Sequence, residues 1–541
     1  MPQHHSTPIR GLMSTNRSPQ FQGRFGRMFR SLPKATFGRN EKENEDNLTL
    51  LGFQIPSSKS GMSALFDPPT DGPDPEESGI PALYTYLGQF IDHDITFDPA
   101  SSLQAKDDPA ALTDFRSPAF DLDNIFGRGP DDQPYLYQKD GKKFLLGKPL
   151  KGSKFQATDL PRNTPTNPND PDDPPRALIG DPRNDENTIV SQLQGLFHRF
   201  HNRLVEDNPS LSFDHIQKLV RFHYQHVILH DFLPRIIQSD VLRALKTADG
   251  QFDEKKLKFF HWKNGPFMPV EFSVAAYRLG HSMVRPGYRL NDDDSTLLPI
   301  FLTDEARAKH FKDDLHGFRE VVAGRGIDWG RFIDIDERPY GTLNDDEKKD
   351  PNNKTRLQFA YRIDTSVVFP LSNLPAPSVV SGPPLALPVR NLIRGWRMEL
   401  PNGQHVAHAM GVTPMNDEEI LIGKGVDTQD KQDPPIVSID KISPVFKNNC
   451  PLWTYILAEA MKHQVPVDIP VKDPKPKPIT TPQLGPVGGR IVAEVFLGLM
   501  FGDNHSLLSS HPTWKPEHGD FKLKDFVNYA LGIGLARTSK H

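Results

Sequence analysis

At 541 residues, with a formal net charge of −5 and one cysteine, Cys450, the chain can bury a large core and cannot close an internal disulfide. Its charge balance gives no reason to expect nucleic acid or an anionic membrane as partner. The most apolar run, IVAEVFLGLMF at 491–501, is broken by Glu494 and Gly498 and falls short of the ~20 residues a bilayer span needs.

The first forty residues hold seven Lys or Arg and no acid. Residues 1–45 are therefore expected to be a basic, disordered tail; it lacks the apolar stretch of a secretory signal. The expected location is cytoplasmic or secreted without a classical signal, and a lone cysteine suits a reducing compartment. Residues 46–541 are expected to form one large, mainly α domain with long ordered loops and little β. The chain has 52 prolines, and the stretches 64–80, 158–182, 340–356, 374–390 and 464–489 are rich in Pro, Gly, Asp and Asn, which argues for ordered loops around a helical core. Between them, apolar residues such as Ile189, Leu193, Leu196, Phe200 and Leu204, then Leu219, Phe222 and Val227, fall at helical spacing.

The stretch LGQFIDHDIT at 87–96 continues an apolar stripe of Leu83, Leu87, Phe90 or Ile91, and Ile95, so it is expected to be helical. Gln89 and His93 then stand one turn apart on one side and can address one ligand together. Asp92 and Asp94 diverge to either side of His93 by about 100° each. Taken alone, the stretch also suits a solvated acidic helix end.

In RSPAFDLDNIFG at 116–127, Ser117, Asp121 and Asp123 offer oxygens at near-alternate positions with the Ala119 carbonyl between them. Such a set suits Ca²⁺, which takes 6–8 hard oxygens, provided a remote carboxylate such as Asp94 closes the shell. In GDPRNDEN at 180–187, Arg183 and Glu186 lie three residues apart. A permanent guanidinium beside a neutral histidine is what peroxide cleavage needs, the imidazole moving the proton and the cation stabilising charge. An ion pair of Arg183 with Asp181 or Glu186 is the plainer reading, as packing is for His198 and His201. In VEFSVAAYRLGHSMVRPGY at 270–288, Gly280 beside His281 lets a large planar ligand approach. Asn391 is an uncharged acceptor that could hold the N–H of an axial imidazole.

As a set and in this order, from about residue 82 to about residue 515, these stretches resemble the animal-type haem peroxidases, the peroxidase and cyclooxygenase superfamily, in its bacterial branch. The resemblance implies a peroxidase that reduces hydrogen peroxide through a ferryl state and oxidises a small donor such as a halide or phenol. It implies haem b and Ca²⁺ as cofactors. His93, Gln89 and Arg183 would serve the peroxide, and His281 would bind the iron with Asn391 as its partner. Arg278 would stand on the propionate side. Asp92 and Glu186 would be rim carboxylates able to form esters with the haem. Asp94, Ser117, Ala119, Asp121 and Asp123 would hold calcium. Asn187 follows Glu186 where myeloperoxidases carry methionine, so a sulfonium link is not expected.

A fatty-acid oxygenase on the same fold is the alternative enzyme, and a non-catalytic haem protein the alternative from another class. In cyclooxygenases a radical tyrosine sits three residues before the proximal histidine; here that position is Arg278, with Tyr277 one residue off register. The FKNNC segment lacks the glycine expected before a haem-thiolate ligand, so Cys450 is expected to be a buried small residue. The glycines of 482–503 are expected to serve close packing.

Overall fold

The computed structural model describes residues 25–53, 61–63, 69–96, 117–167, 175–263, 265–294, 296–302, 313–342, 350–374, 386–426, 435–472, 477–517 and 519–533. The longer helices are α1 (Glu41–Gly52), α2 (Leu83–Ile95), α3 (Thr188–Asp207), α4 (Phe213–Val227), α5 (Leu387–Arg397), α6 (Gly403–Ala409), α7 (Leu452–Lys462), α8 (Gly488–Gly502) and α9 (Leu523–Leu531). Among the described residues the strands form two-stranded ladders; a four-residue pair, Gln464–Val467 with Ile479–Pro482, runs antiparallel. The fold is mainly α, as the periodicity indicated.

The apolar stripe of α2 is buried from Leu83 to Ile95. It packs on α3, where Phe90 stacks on Phe197 with ring centres 4.4 Å apart, and α3 in turn meets α9 through Phe200 and Phe526 at 4.2 Å. Asn187 caps α3 by accepting from the N–H groups of Ile189 and Val190, which satisfies two donors the first turn leaves open. The chain of α4 continues through a π-turn at Ile228–Phe232. Asp231 in that turn accepts from the Tyr84 hydroxyl at 2.5 Å and the Leu523 N–H at 2.9 Å. One carboxylate thereby ties α2, α4 and α9 together.

One expectation needs correction. The tail does not extend to residue 45: Phe25–Gly26 pairs with Met268–Pro269, Phe29 and Phe37 are buried, and the N–H groups of Met28 and Phe29 both donate to Glu271 at 3.0 Å. The apolar residues interleaved with the basic ones supply the burial that charge counting overlooks. Residues 1–24 lie outside the described residues. The segment around His281 consists of a short helix, Val270–Ser273, and a six-residue 3₁₀ turn, Ala276–His281. At three residues per turn, positions i and i+3 eclipse, so Arg278 and His281 leave the turn on one side. This segment is anchored behind by Arg285, which pairs with buried Glu77 beside Arg356, and by the Trp453 indole N–H, which donates to the Arg278 carbonyl at 3.3 Å.

The glycines of α8 do serve close packing. A Cβ at Gly498 would lie 2.3 Å from Phe260, and one at Gly488 would lie 2.4 Å from Ile456. Cys450 is fully buried; Glu494, inside α8, accepts from the N–H groups of Lys258, Phe259 and Phe260.

Candidate active site

The end of α2, the 3₁₀ turn Pro182–Asp185 before α3, and the Ala276–His281 turn carry most of the residues singled out in the sequence. Tyr277 joins two of them, its hydroxyl donating to the Gly88 carbonyl of α2 at 3.2 Å. That ring also stacks on Phe272 at 4.8 Å. The phenol is thus used as a strut.

On the α2 side, His93 Nδ1 lies 2.7 Å from Asn184 Oδ1. A carbonyl oxygen only accepts, so with the amide so placed Nδ1 carries the proton and Nε2 offers its lone pair. Nε2 lies 3.5 Å from Glu186 Oε1. The Gln89 amide donates to that same oxygen and accepts from Asn187 Nδ2 at 3.2 Å. Gln89, His93 and Glu186 therefore converge, as one helical turn between the first two allows.

Arg183 sits in the 3₁₀ turn, where Pro182 and the Asp181 cap set the backbone. Its guanidinium pairs with Asp181 at 2.8 Å and donates to the carbonyls of His93 and Thr96. Burial works against its charge, but Asp181 outweighs it, with Asp92 and Glu186 adding to the effect, and the pKa is raised. The cation is secured at the back of His93.

Across from α2, His281 Nδ1 lies 2.8 Å from Asn391 Nδ2, while Asn391 Oδ1 receives the Arg278 guanidinium. The structure brings Asn391 and His281 together as expected, with the NH₂ end of the amide toward the ring. The guanidinium has only donors, so it claims the carbonyl end of the amide and leaves the NH₂ end for His281. Burial and then Arg394 push the Arg278 pKa down to about 10 despite Asp92, and burial with Arg278 pushes His281 down to about 3. A neutral imidazole is the form that ligates a metal.

Arg183, Arg278 and His281 lie deep in the protein, yet these three keep accessible surface, as do Gln89, Asp92, Glu186 and Gly280. A Cβ added at Gly280 would meet no atom within 4 Å, so the side of the turn next to His281 is open. A flat group approaching His281 fits this arrangement.

Asp94, on the other flank of His93, turns toward the 117–123 loop: carboxylate oxygens of Asp94, Asp121 and Asp123 all lie within 4.8 Å of one another. Asp94 and Asp123 are buried. Three carboxylates this close favour a cation or shared protons. Ser117 Oγ donates to Asp121 at 2.7 Å, and Leu122 adopts a left-handed φ of 58° ahead of Asp123. Sequence reading missed Asn184, and also Gln225, which holds the loop by donating to the Phe120 carbonyl at 2.8 Å. It missed Arg394 beside Arg278 as well. These are single polar residues inside amphipathic helices or next to a stronger motif, and no spacing marks them.

A family model described as animal haem peroxidase matches residues 103–328. Over 183 residues, 30% of this chain, the sequence is 26% identical to a chorion peroxidase of Drosophila melanogaster, and the match covers 22% of that protein. Over 115 residues, 20% of the chain, it is 29% identical to a peroxidase-like protein of Margaritifera margaritifera, covering 14% of it. The chain thus spans less than a quarter of the length of these relatives. Among solved structures, peroxidase A of Dictyostelium discoideum aligns with a TM-score of 0.56 and 15% identity, over 96% of this chain and 95% of that one, a likeness of fold. The family match over residues 103–328, the peroxidase relatives and the shared helical fold agree: the chain is similar to the animal haem peroxidases.

Proposed function

We propose that this protein is a haem-dependent peroxidase that reduces hydrogen peroxide and oxidises a small donor such as a halide or phenol. The observation that carries the reading is the pairing of His93, whose Nδ1 is taken up by Asn184 and whose Nε2 lies 3.5 Å from Glu186, with His281 beside the open face of Gly280. His281 would hold the iron, with Arg278 toward the acidic edge of the ring. When bound, haem supplies the two electrons that cleave the O–O bond. His93 Nε2 takes the proton from one peroxide oxygen and gives it to the other, which leaves as water; such a base contributes typically 10²–10⁴-fold. Arg183 stabilises negative charge and fixes the backbone of His93.

Ligation through His281 Nε2 requires Nδ1 to carry the proton, so Asn391 must present Oδ1 to it. An anionic group at Arg278 gives it another partner and frees the amide to turn. Asp92 and Glu186 are the carboxylates that would form esters with the ring. Asp94, Ser117, the Ala119 carbonyl, Asp121 and Asp123 would bind one Ca²⁺, joining the distal helix to its loop.

Tyr277 is engaged with Gly88 and Phe272, which weighs against radical oxygenation of a fatty acid. The reading is tested by comparing peroxide-dependent oxidation of bromide, iodide and guaiacol with oxygen uptake on linoleate. Peroxide-dependent turnover is expected; oxygen uptake on the lipid alone would replace the reading with an oxygenase.

A further inference from the structure

His93 does not end its hydrogen bonding at Asn184. Asn184 Nδ2 donates to Gln194 Oε1 at 2.7 Å, and Gln194 Nε2 lies 2.9 Å from His198 Nε2. All four side chains are buried, and Asn184 and Gln194 expose no surface. Gln194 and His198 are four residues apart in α3, so they share one face of the helix. The His198 ring is clamped flat against Phe144, with centres 4.5 Å apart and planes 10° from parallel.

We propose that His198 is a positioning residue that selects the tautomer of His93 through Gln194 and Asn184. Each amide has one donating and one accepting end, so a closed chain of two imidazoles and two amides has two self-consistent settings. In the first, His198 Nε2 accepts from Gln194 Nε2, Gln194 Oε1 accepts from Asn184 Nδ2, and Asn184 Oδ1 accepts from His93 Nδ1. His93 Nε2 is then a lone pair on the side of Glu186. In the second, both amides turn, both imidazoles exchange their proton between nitrogens, and His93 Nε2 carries hydrogen. It can then take no proton from peroxide.

A mixed setting would place two donors or two acceptors against each other in a buried site, which is costly. The choice therefore passes along the whole chain. One feature at the far end favours the first setting. The Leu145 backbone beside His198 favours a proton on the ring, and with Nε2 engaged by Gln194 Nδ1 is the nitrogen left to carry it. Burial, with His201 adding to it, pushes the His198 pKa down to about 3, so this ring stays neutral and holds a single proton, on Nδ1 in the first setting and on Nε2 in the second. The packing histidine thus also sets a direction of hydrogen bonding.

The proposal rests on His93 being the base for peroxide, and the test separates the two. Histidine-selective ¹⁵N spectra of the ferrous carbonyl holoprotein, with His93 assigned by loss of its signals in His93→Gln, report which ring nitrogen is protonated. Stopped-flow mixing of the ferric form with peroxide reports the rate. The parent is expected to show the Nδ1–H tautomer. His198→Phe keeps the flat ring and removes the acceptor, and it should give a tautomer mixture and a rate lower by roughly two- to tenfold, the bias one buried hydrogen bond supplies. Adding Asn184→Asp, whose carboxylate only accepts, should restore both the Nδ1–H signal and the rate. A parental tautomer and rate in His198→Phe, or no recovery in the double variant, would overturn the proposal. If His198→Phe fails to fold, Gln194→Leu interrupts the same chain and carries the same expectations. A His93→Ala protein that reacts as fast as the parent would instead remove the peroxide reading and leave the tautomer measurement to decide the chain by itself.

Discussion

One amide, Asn391, is claimed from both sides, by the guanidinium of Arg278 on its oxygen and by His281 on its nitrogen. Replacing it with aspartate, which accepts from both, should pull more charge onto the axial imidazole. The expected outcome for Asn391→Asp is a lower ferric/ferrous potential by spectroelectrochemistry; an unchanged potential would detach Asn391 from the iron ligand. His281→Ala should lose the histidine-ligated spectrum altogether, and retention of that spectrum would refute the axial assignment. Asp92 and Glu186 lead to a third test: after stoichiometric peroxide, acid-acetone should leave haem on the peptides that contain them. Free extraction of all haem would make them plain rim carboxylates. His93 and Asp94 stand out in the sequence because polar residues cluster there inside an apolar stripe, whereas Arg183 and His281 are singled out by the resemblance of their segments to the animal-type haem peroxidases. The direction of the Asn391 amide could not be read there, because it depends on Arg278, 113 positions away in the chain.

Helices whose apolar residues repeat cleanly were legible: α2 buries Leu83, Leu87, Phe90, Ile91 and Ile95, and α3 buries Ile189, Leu193, Leu196, Phe200 and Leu204. The Ala276–His281 turn was not, since 3.0 and 3.6 residues per turn cannot be told apart over six residues. The ordering of residues 25–45 escaped for a related reason, because a few scattered aromatics such as Phe29 and Phe37 dock on distant segments and no local period announces it. Helix α8 yields a test at this scale. Glycine to alanine inside a helix ordinarily gains about 1 kcal/mol, but at Gly498 the new methyl would meet Phe260 at 2.3 Å. Overpacking of that kind costs about 1–3 kcal/mol, so Gly498→Ala is expected to lower the urea midpoint. A raised midpoint would mean that Phe260 yields freely. For the 117–123 loop, metal analysis of protein purified without chelator should find about one Ca²⁺ per chain. None, with full activity after exhaustive chelation, would leave the three carboxylates to shared protons and hydrogen bonds.

Across the whole molecule, among the described residues, no helix is long and apolar enough to cross a membrane, and the core is crowded with neutral histidines. Burial pushes His223 down to about 4. In the unfolded chain it titrates near 6.5, so between about pH 6.5 and 4 the unfolded state binds one more proton than the folded state. Stability present above that window is lost as pH falls through it. Buried acids oppose this: burial raises Glu459 to about 7 and Asp364 to about 6, which favours the folded state as pH falls. The total slope mixes the two, and the difference between parent and variant isolates one group. His223→Phe should reduce the acid-side loss by about 1.4 kcal/mol per pH unit, read from urea midpoints between pH 6 and 4.5; parallel curves would mean that His223 is protonated in the native protein. The account as a whole stands on His93 as the base for peroxide, and the most direct measurement is stopped-flow mixing of ferric holoprotein with hydrogen peroxide in parent and His93→Ala. The account predicts a two-electron oxidation of the parent and a rate lower by about 10²–10⁴-fold in the variant; equal rates would contradict it.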